Sequence, residues 1–179
     1  MGAWSKRRAE DPRLRRAARG DAEAMASLLQ EQYGFLRNYL LKLCLSQPLA
    51  EDLAQETMIR AVESIRRFRG ESAFSTWLLA IATRVYLDEK RKAARRGRKL
   101  SAYAEAERLQ LAQSHPELRL ELLEALASLP DEQRAAVLLK HYYGYSYEEI
   151  GELSGVAAGT AKSRVHHGLA KLRKELTVE

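Results

Sequence analysis

Cysteine is almost missing from this chain of 179 residues. Cys44 is the only one, so no internal disulfide can form and a reducing compartment is expected. Strand signals are as scarce: alternating Val, Ile and Thr runs do not occur, and prolines number four. Helix formers dominate, so the expected fold class is all-α. Long apolar runs are missing too. The longest, 35–45, is broken by Arg37, Asn38 and Lys42 and is too short to span a bilayer. Lys6, Arg7 and Arg8 have no apolar run behind them, so no secretory signal is expected, and Lys6 stands where a myristoylation motif needs Ser or Thr. The four histidines (His115, His141, His166, His167) lack zinc-ligand spacing. These absences point to a soluble, cytoplasmic protein without metal or cofactor.

What the chain has is positive charge. The 30 Lys and Arg outnumber the 24 Asp and Glu, giving a net charge of +6, a balance that favours a polyanionic partner. The charge is concentrated where the helical pattern is clearest. Over 129–176 three helices are predicted at about 131–143, 147–154 and 158–176. Pro130 precedes the first and Gly144 ends it, while Ser146 and Glu149 form a capping box for the second. Gly151 and Gly155 are expected where two short helices cross closely. In the third helix Ala161, Val165, Leu169, Leu172 and Leu176 recur on one face, leaving Thr160, Ser163, Arg164, His167 and Lys171 on the other. Residues 131–153 carry five acids against Arg134 and Lys140. Residues 158–174 carry Lys162, Arg164, Lys171, Arg173 and Lys174 and no acid. Phosphates attract only the second stretch, the pattern of a helix-turn-helix whose last helix enters a DNA major groove.

The first half predicts four helices. Asp11-Pro12 opens a short one that Gly20 closes, and Asp21 caps a long one. A third helix, about 49–68, carries Glu51, Asp52, Gln55 and Glu56 on one narrow face, with Leu53, Met58, Ile59, Val62 and Ile65 expected on its apolar side. The fourth, about 73–95, begins apolar (Phe74, Trp77, Leu78, Ile81, Ala82, Val85). It then turns cationic, with Arg84, Lys90, Arg91, Lys92, Arg95, Arg96, Arg98 and Lys99 opposed only by Asp88 and Glu89. That excess is larger than a helix C-terminus needs, so a second nucleic-acid surface is expected, with Tyr86 able to stack on an unpaired base.

Two small helical domains joined by a flexible linker are expected from this pattern: 1–96, a linker at 97–115, and 116–179. The 19 linker residues extend to at most roughly 60 Å. That is close to two turns of B-DNA at about 34 Å each, so one duplex face could carry both sites.

Taken together the motifs resemble the bacterial sigma-70 family, in its small extracytoplasmic-function (ECF) group. Ala50-Glu51-Asp52-Leu53-Ala54-Gln55-Glu56-Thr57 is similar to the segment that docks on the polymerase β′ clamp helices. The stretch Phe74-Ser75-Thr76-Trp77-Leu78-Leu79-Ala80-Ile81-Ala82, with Asp88 and the basic run, resembles the part that melts and reads the −10 element. Leu129-Pro130 with Arg134, then Tyr145-Ser146-Tyr147-Glu148-Glu149-Ile150, then Gly159-Thr160-Ala161-Lys162-Ser163-Arg164-Val165, resemble the domain that reads the −35 element.

The resemblance implies a non-catalytic promoter-specificity subunit. Asp52, Gln55 and Glu56 would bind core RNA polymerase. Arg84, Tyr86, Lys90, Arg91 and Arg95, with Thr160, Lys162, Ser163, Arg164, His167 and Lys171, would bind promoter DNA. It further implies contact with the β flap, an anti-sigma factor as regulator, and no middle domain. Four positions depart from the family pattern. Arg84 replaces a usual Asn, Met58 a usual aromatic, and His167 and Leu169 stand where Arg is common. Two other classes compete: a free-standing regulator that binds its operator without polymerase, and a nuclease holding a divalent metal on Glu51, Asp52 and Glu56.

Overall fold

The computed structural model describes residues 11–70, 72–95, 104–115 and 119–176, and those residues contain helices and no strand. The cationic residues Arg96, Arg98 and Lys99, the linker start at Gly97, and Pro116 lie outside them.

Four helices make the N-terminal bundle. Asp11 caps α1 (Pro12–Ala18) and Asp21 caps α2 (Ala22–Cys44), each through its own carboxylate. Ser46 caps α3 (Gln47–Ser64), so Pro48 lies inside the first turn rather than between helices. α4 (Phe74–Arg95) comes after a short 3-10 turn. The bundle's interior is mostly apolar, and its buried hydroxyls are paired: Thr57 donates to the Leu53 carbonyl at 2.6 Å. The Thr83 hydroxyl donates to the Leu79 carbonyl at 2.7 Å, which leaves Tyr39 to donate to Thr83 Oγ1, also at 2.7 Å.

One face of α3 differs from expectation. Its buried side is Ala50, Leu53, Ala54, Thr57 and Ala61, while Ile59 and Val62 are 55% and 51% exposed. Small residues win the inward positions because they let α3 approach α2 and α4 closely. Met58 and Val62 instead join Ala22, Met25, Ala26, Leu29 and Tyr33 along an open apolar groove of about 600 Å³.

The expected linker is not structureless. Residues Ala104–Ser114 form α5, and its Leu111 is buried. Apart from Ser114 the segment is made of Ala, Glu, Arg, Leu and Gln, all strong helix formers, so Gln110 and Gln113, read as interruptions, in fact suit a helix.

The C-terminal unit comprises α6 (Leu120–Ser128), α7 (Asp131–Val137), a π-helical turn (Leu138–Tyr142), α8 (Tyr147–Ser154) and α9 (Ala158–Leu176). The capping box at Ser146 and Glu149 is present with both hydrogen bonds, 3.1 and 2.7 Å. The two glycines do different work. A Cβ on Gly151 would lie 2.7 Å from the Val156 carbonyl oxygen, so α8 meets the turn there at backbone distance. Gly155 has open space and is needed for its φ of +70°, which ends α8. The core face of α9 is Ala161, Val165, Gly168 and Leu172, whereas Leu176 is 54% exposed. Gly168 replaces Leu169 at the tightest point, since a Cβ there would come 2.6 Å from Val137 Cγ2.

These observations set two expected outcomes. Gly151→Ala should lower stability by about 1–3 kcal/mol despite better helix propensity, because the obstacle is backbone. Gly34→Ala, in open space on α2, should instead stabilise by about 0.4–1 kcal/mol. Urea denaturation of both variants measures the difference in sign. Burial pushes the Cys44 thiol up to about 12, so it should resist thiol reagents at neutral pH until the chain is unfolded.

Candidate nucleic-acid interface

The two proposed DNA-reading helices sit in different circumstances. On α9 the core face points at α7 and α8, which leaves Thr160, Lys162, Ser163, His166 and His167 exposed. Apolar spacing alone does not single out His166. Two other cations of this helix are held by their own domain. Arg164 donates to Glu132 at 2.8 Å, and Lys171 Nζ donates to the Ser128 carbonyl at the end of α6. Both bonds are at the surface, where such pairs are worth little and exchange readily for phosphate.

On α4 the cationic end is exposed. Arg91 pairs with Asp88 at 2.7 Å, and Arg95 donates to the Arg91 carbonyl at 3.3 Å. The preceding turns touch the C-terminal unit, Arg84 while remaining exposed. Thr76 Oγ1 lies 3.2 Å from the Tyr145 hydroxyl, and Arg84 donates to the Glu152 carbonyl at 3.2 Å. Lys90 Nζ is 3.9 Å from Asp131 and lies over the Tyr86 ring at 5.6 Å. Tyr86 itself is fully buried and donates its hydroxyl proton to Asp131. Stacking of Tyr86 on an unpaired base therefore does not fit this arrangement, because the ring is enclosed and its polar edge is taken. Burial holds the Tyr86 phenol well above its ordinary pKa, so it remains a donor.

At the centre of this contact is Arg134, buried, with every side of its guanidinium in use. Nε donates to the Leu43 carbonyl at 2.7 Å, in the last turn of α2. One terminal nitrogen donates to Leu126 at 3.0 Å and Leu129 at 3.5 Å, at the end of α6, and the other reaches Tyr86 and Asp131. Helix C-termini carry unpaired carbonyls and the negative pole of the helix dipole, so a cation shared by two such ends is stabilised by both. Beside it the π-helical turn brings Tyr143 edge-on to Phe35 and Tyr39, at 5.5 and 5.4 Å between ring centres, and Tyr142 over Lys42 at 4.7 Å.

The acidic face of α3 is separate from this contact. Asp52 and Gln55 are exposed, Glu56 pairs with Arg60 at 2.7 Å, and Glu51 pairs with Arg37 at 3.3 Å. Exposed Ile59 and Val62 lie on the same helix; their alternation with polar residues resembles a core stripe, which hides them from sequence reading. Among the described residues no three His, Cys, Asp or Glu side chains are grouped as a metal site would need.

This geometry is matched by known proteins over most of its length. The family models for Sigma-70 region 2 and Sigma-70, region 4 match residues 28–96 and 119–172. RNA polymerase sigma factor CarQ of Myxococcus xanthus is 34% identical, covering 88% of this chain and 91% of its own length. ECF RNA polymerase sigma factor SigW of Bacillus subtilis is 31% identical, covering 92% and 95%. Two solved structures share the fold. CnrH in complex with the cytosolic domain of CnrY has a TM-score of 0.69 at 21% identity, over 96% of this chain and 99% of that one. The sigma factor RpoE with the anti-sigma factor NepR, from Bartonella quintana, has a TM-score of 0.67 at 24% identity, over 88% and 99%. The chain belongs to the sigma-70 family of RNA polymerase sigma factors, in its ECF group. It is thus a non-catalytic subunit that directs RNA polymerase to promoters.

Arg134→Ala should cost about 3–5 kcal/mol in unfolding free energy, because carbonyls of two helix ends and the Asp131 carboxylate lose their common partner. Arg134→Lys should recover only part of this, since a single ammonium cannot reach three directions at once. Urea titration of both variants checks the order.

Proposed function

We propose that promoter reading is divided between α9 and α4, and that α3 supplies the polymerase-binding face. The observation that carries this is α9, where the inward face is apolar and close-packed while Thr160, Lys162, Ser163 and His167 stand exposed with no acid among them. A helix of that kind, second in a helix-turn-helix, fits a major groove, with Arg164 exchanging Glu132 for a base edge and Lys171 exchanging the Ser128 carbonyl for phosphate. This is the −35 half. In the −10 half, Arg84, Lys90, Arg91 and Arg95 meet the backbone and the opening strand, and Tyr86 would join them only once uncovered. Arg84, in place of the family's usual Asn, would make a different base contact there.

Asp52, Gln55 and Glu56 fit a basic surface such as the β′ clamp helices, and exposed Ile59 and Val62 add apolar area beside them. The β flap is the corresponding partner for the C-terminal unit. An anti-sigma factor is a further partner, supported by two structural neighbours that are complexes, one with NepR and one with the cytosolic domain of CnrY. The same reading expects action in the cytoplasm, and among the described residues no helix is long and apolar enough to cross a membrane.

Two measurements test this. Gln55→Ala with Glu56→Arg should leave the melting temperature nearly unmoved, because the Glu56–Arg60 pair is at the surface. It should lower core-polymerase affinity by about tenfold or more, a repulsive contact replacing a charge-assisted one. Normal co-purification of the folded double mutant with core polymerase would rule out the α3 assignment. On α9, Ser163→Ala with Arg164→Ala should relax base preference in the −35 element by about 1–3 kcal/mol, whereas Lys171→Ala should weaken all sequences alike. Footprinting of holoenzyme on promoter variants separates the two outcomes.

A further inference from the structure

Arg164 is set apart from its neighbours on α9. Lys162, Ser163, His166 and His167 are exposed, whereas the Arg164 side chain keeps only 20% of its surface and lies back on α7. The cause is backbone proximity. Gly168, one turn further along the same face, brings α9 so near α7 that a Cβ there would meet Val137 at 2.6 Å and Gln133 at 3.5 Å. At that spacing a guanidinium one turn earlier reaches the carboxylate beside Gln133, and Arg164 Nη2 donates to Glu132 Oε2 at 2.8 Å.

Glu132 does not depend on Arg164 for its place. It sits in the first turn of α7 beside Asp131, where the helix itself favours negative charge. The two acids face different ways. Asp131 turns to the bundle, to Tyr86 and Lys90, while Glu132 turns to α9 and is 56% exposed. An acid at the edge of a DNA-reading face lowers affinity, since it repels phosphate at every sequence. Its pair with Arg164 makes that repulsion selective.

A phosphate that takes Arg164 from Glu132 replaces one anionic acceptor with another. It gains little, and it leaves a bare carboxylate nearby. A purine edge that accepts two hydrogen bonds from the guanidinium plane offers more than the single Glu132 bond, and it brings no formal charge against the carboxylate. The exchange therefore favours a base edge over the backbone.

We propose that Glu132 is a specificity-determining residue of the −35 half, which withholds Arg164 from arbitrary phosphates and yields it to the correct base edge. The inference rests on the assignment of α9 to promoter reading. Its signature runs against the usual effect of losing an ion pair. Removing the acid should strengthen DNA binding, chiefly at wrong sequences, so that affinity rises while discrimination falls.

Holoenzyme assembled from the full chain and core polymerase provides the test. It is offered a promoter fragment that the wild type protects, and the same fragment with its −35 element scrambled. Affinities are measured over a salt series for wild type, Glu132→Gln, Arg164→Ala and the double variant. Glu132→Gln keeps the shape and removes the charge, and at this exposed position it should leave the melting temperature nearly unmoved. It should tighten the scrambled fragment by about fivefold and leave the intact one within about twofold of wild type. The salt slope on the scrambled fragment should steepen by about one, the freed guanidinium meeting one more phosphate. Arg164→Ala alone should weaken the intact fragment. Added to Arg164→Ala, Glu132→Gln should change neither fragment by more than about twofold, because the two residues act as a pair. Equal tightening of the scrambled fragment with and without Arg164 would overturn the inference, the acid then acting by charge alone, and would leave the α9 reading standing. Equal weakening of both fragments by Glu132→Gln would show a structural role and overturn it too. If Arg164→Ala left both fragments unmoved, the α9 assignment itself would fall, and the inference with it.

Discussion

A guanidinium taken out of water costs several kcal/mol unless its hydrogen-bonding directions are filled, and Arg134 fills them from four different places in the chain. Its partners are the last turn of α2, the last turn of α6, a tyrosine of α4 and an aspartate at the start of α7. Two of these contacts belong to the C-terminal unit and two to the bundle. The local contacts, to the α6 end (Leu126 and Leu129) and to Asp131, tie α6 to α7 and so shape the helix-turn-helix whatever the bundle is doing. The distant pair, Leu43 and Tyr86, sets where that unit lies. One side chain thus serves the fold of one domain and the placement of both.

The same economy appears in the acidic residues of the C-terminal unit. Glu149 closes a capping box, Glu132 steadies Arg164, and Asp131 joins the tyrosine and lysine of α4. All are at or near helix N-termini, where negative charge is favoured by the helix itself. Positive charge is kept on the far side, along α9. The domain is therefore polar in the electrical sense, and its acidic side is the one turned to the cationic bundle helix.

Much of this is legible in the sequence because local chemistry decides it. Asp11, Asp21 and Ser146 mark helix starts by the groups their side chains can accept from, and all three do so. The face of α9 is set by apolar spacing. Distance between elements is what a sequence does not display. Ile59 and Val62 fit a core stripe by spacing, yet Ala50, Ala54 and Ala61 take the core because the neighbouring helices come too close for larger groups. Gly168 has the look of a helix-weakening residue until its neighbour Val137 is in view. Tyr86 looks available for stacking because nothing in a local window names Arg134, 48 positions away, as its partner. The candidate site obeys the same rule: residue types are readable, and which of them are covered is not.

The π-helical turn at Leu138–Tyr142 has a bearing on how such a chain can change over generations. A π turn holds one residue more than the α-helix it interrupts. Deleting a single residue there would restore ordinary winding and swing the downstream chain by about 100°, carrying Tyr142 and Tyr143 off α2. Gly144, at φ +77°, is the next hinge, so much of that rotation could be absorbed before α8 begins. Loss or gain of one codon in this turn is therefore a short route for related chains to differ in how tightly their halves adhere, with α9 itself untouched.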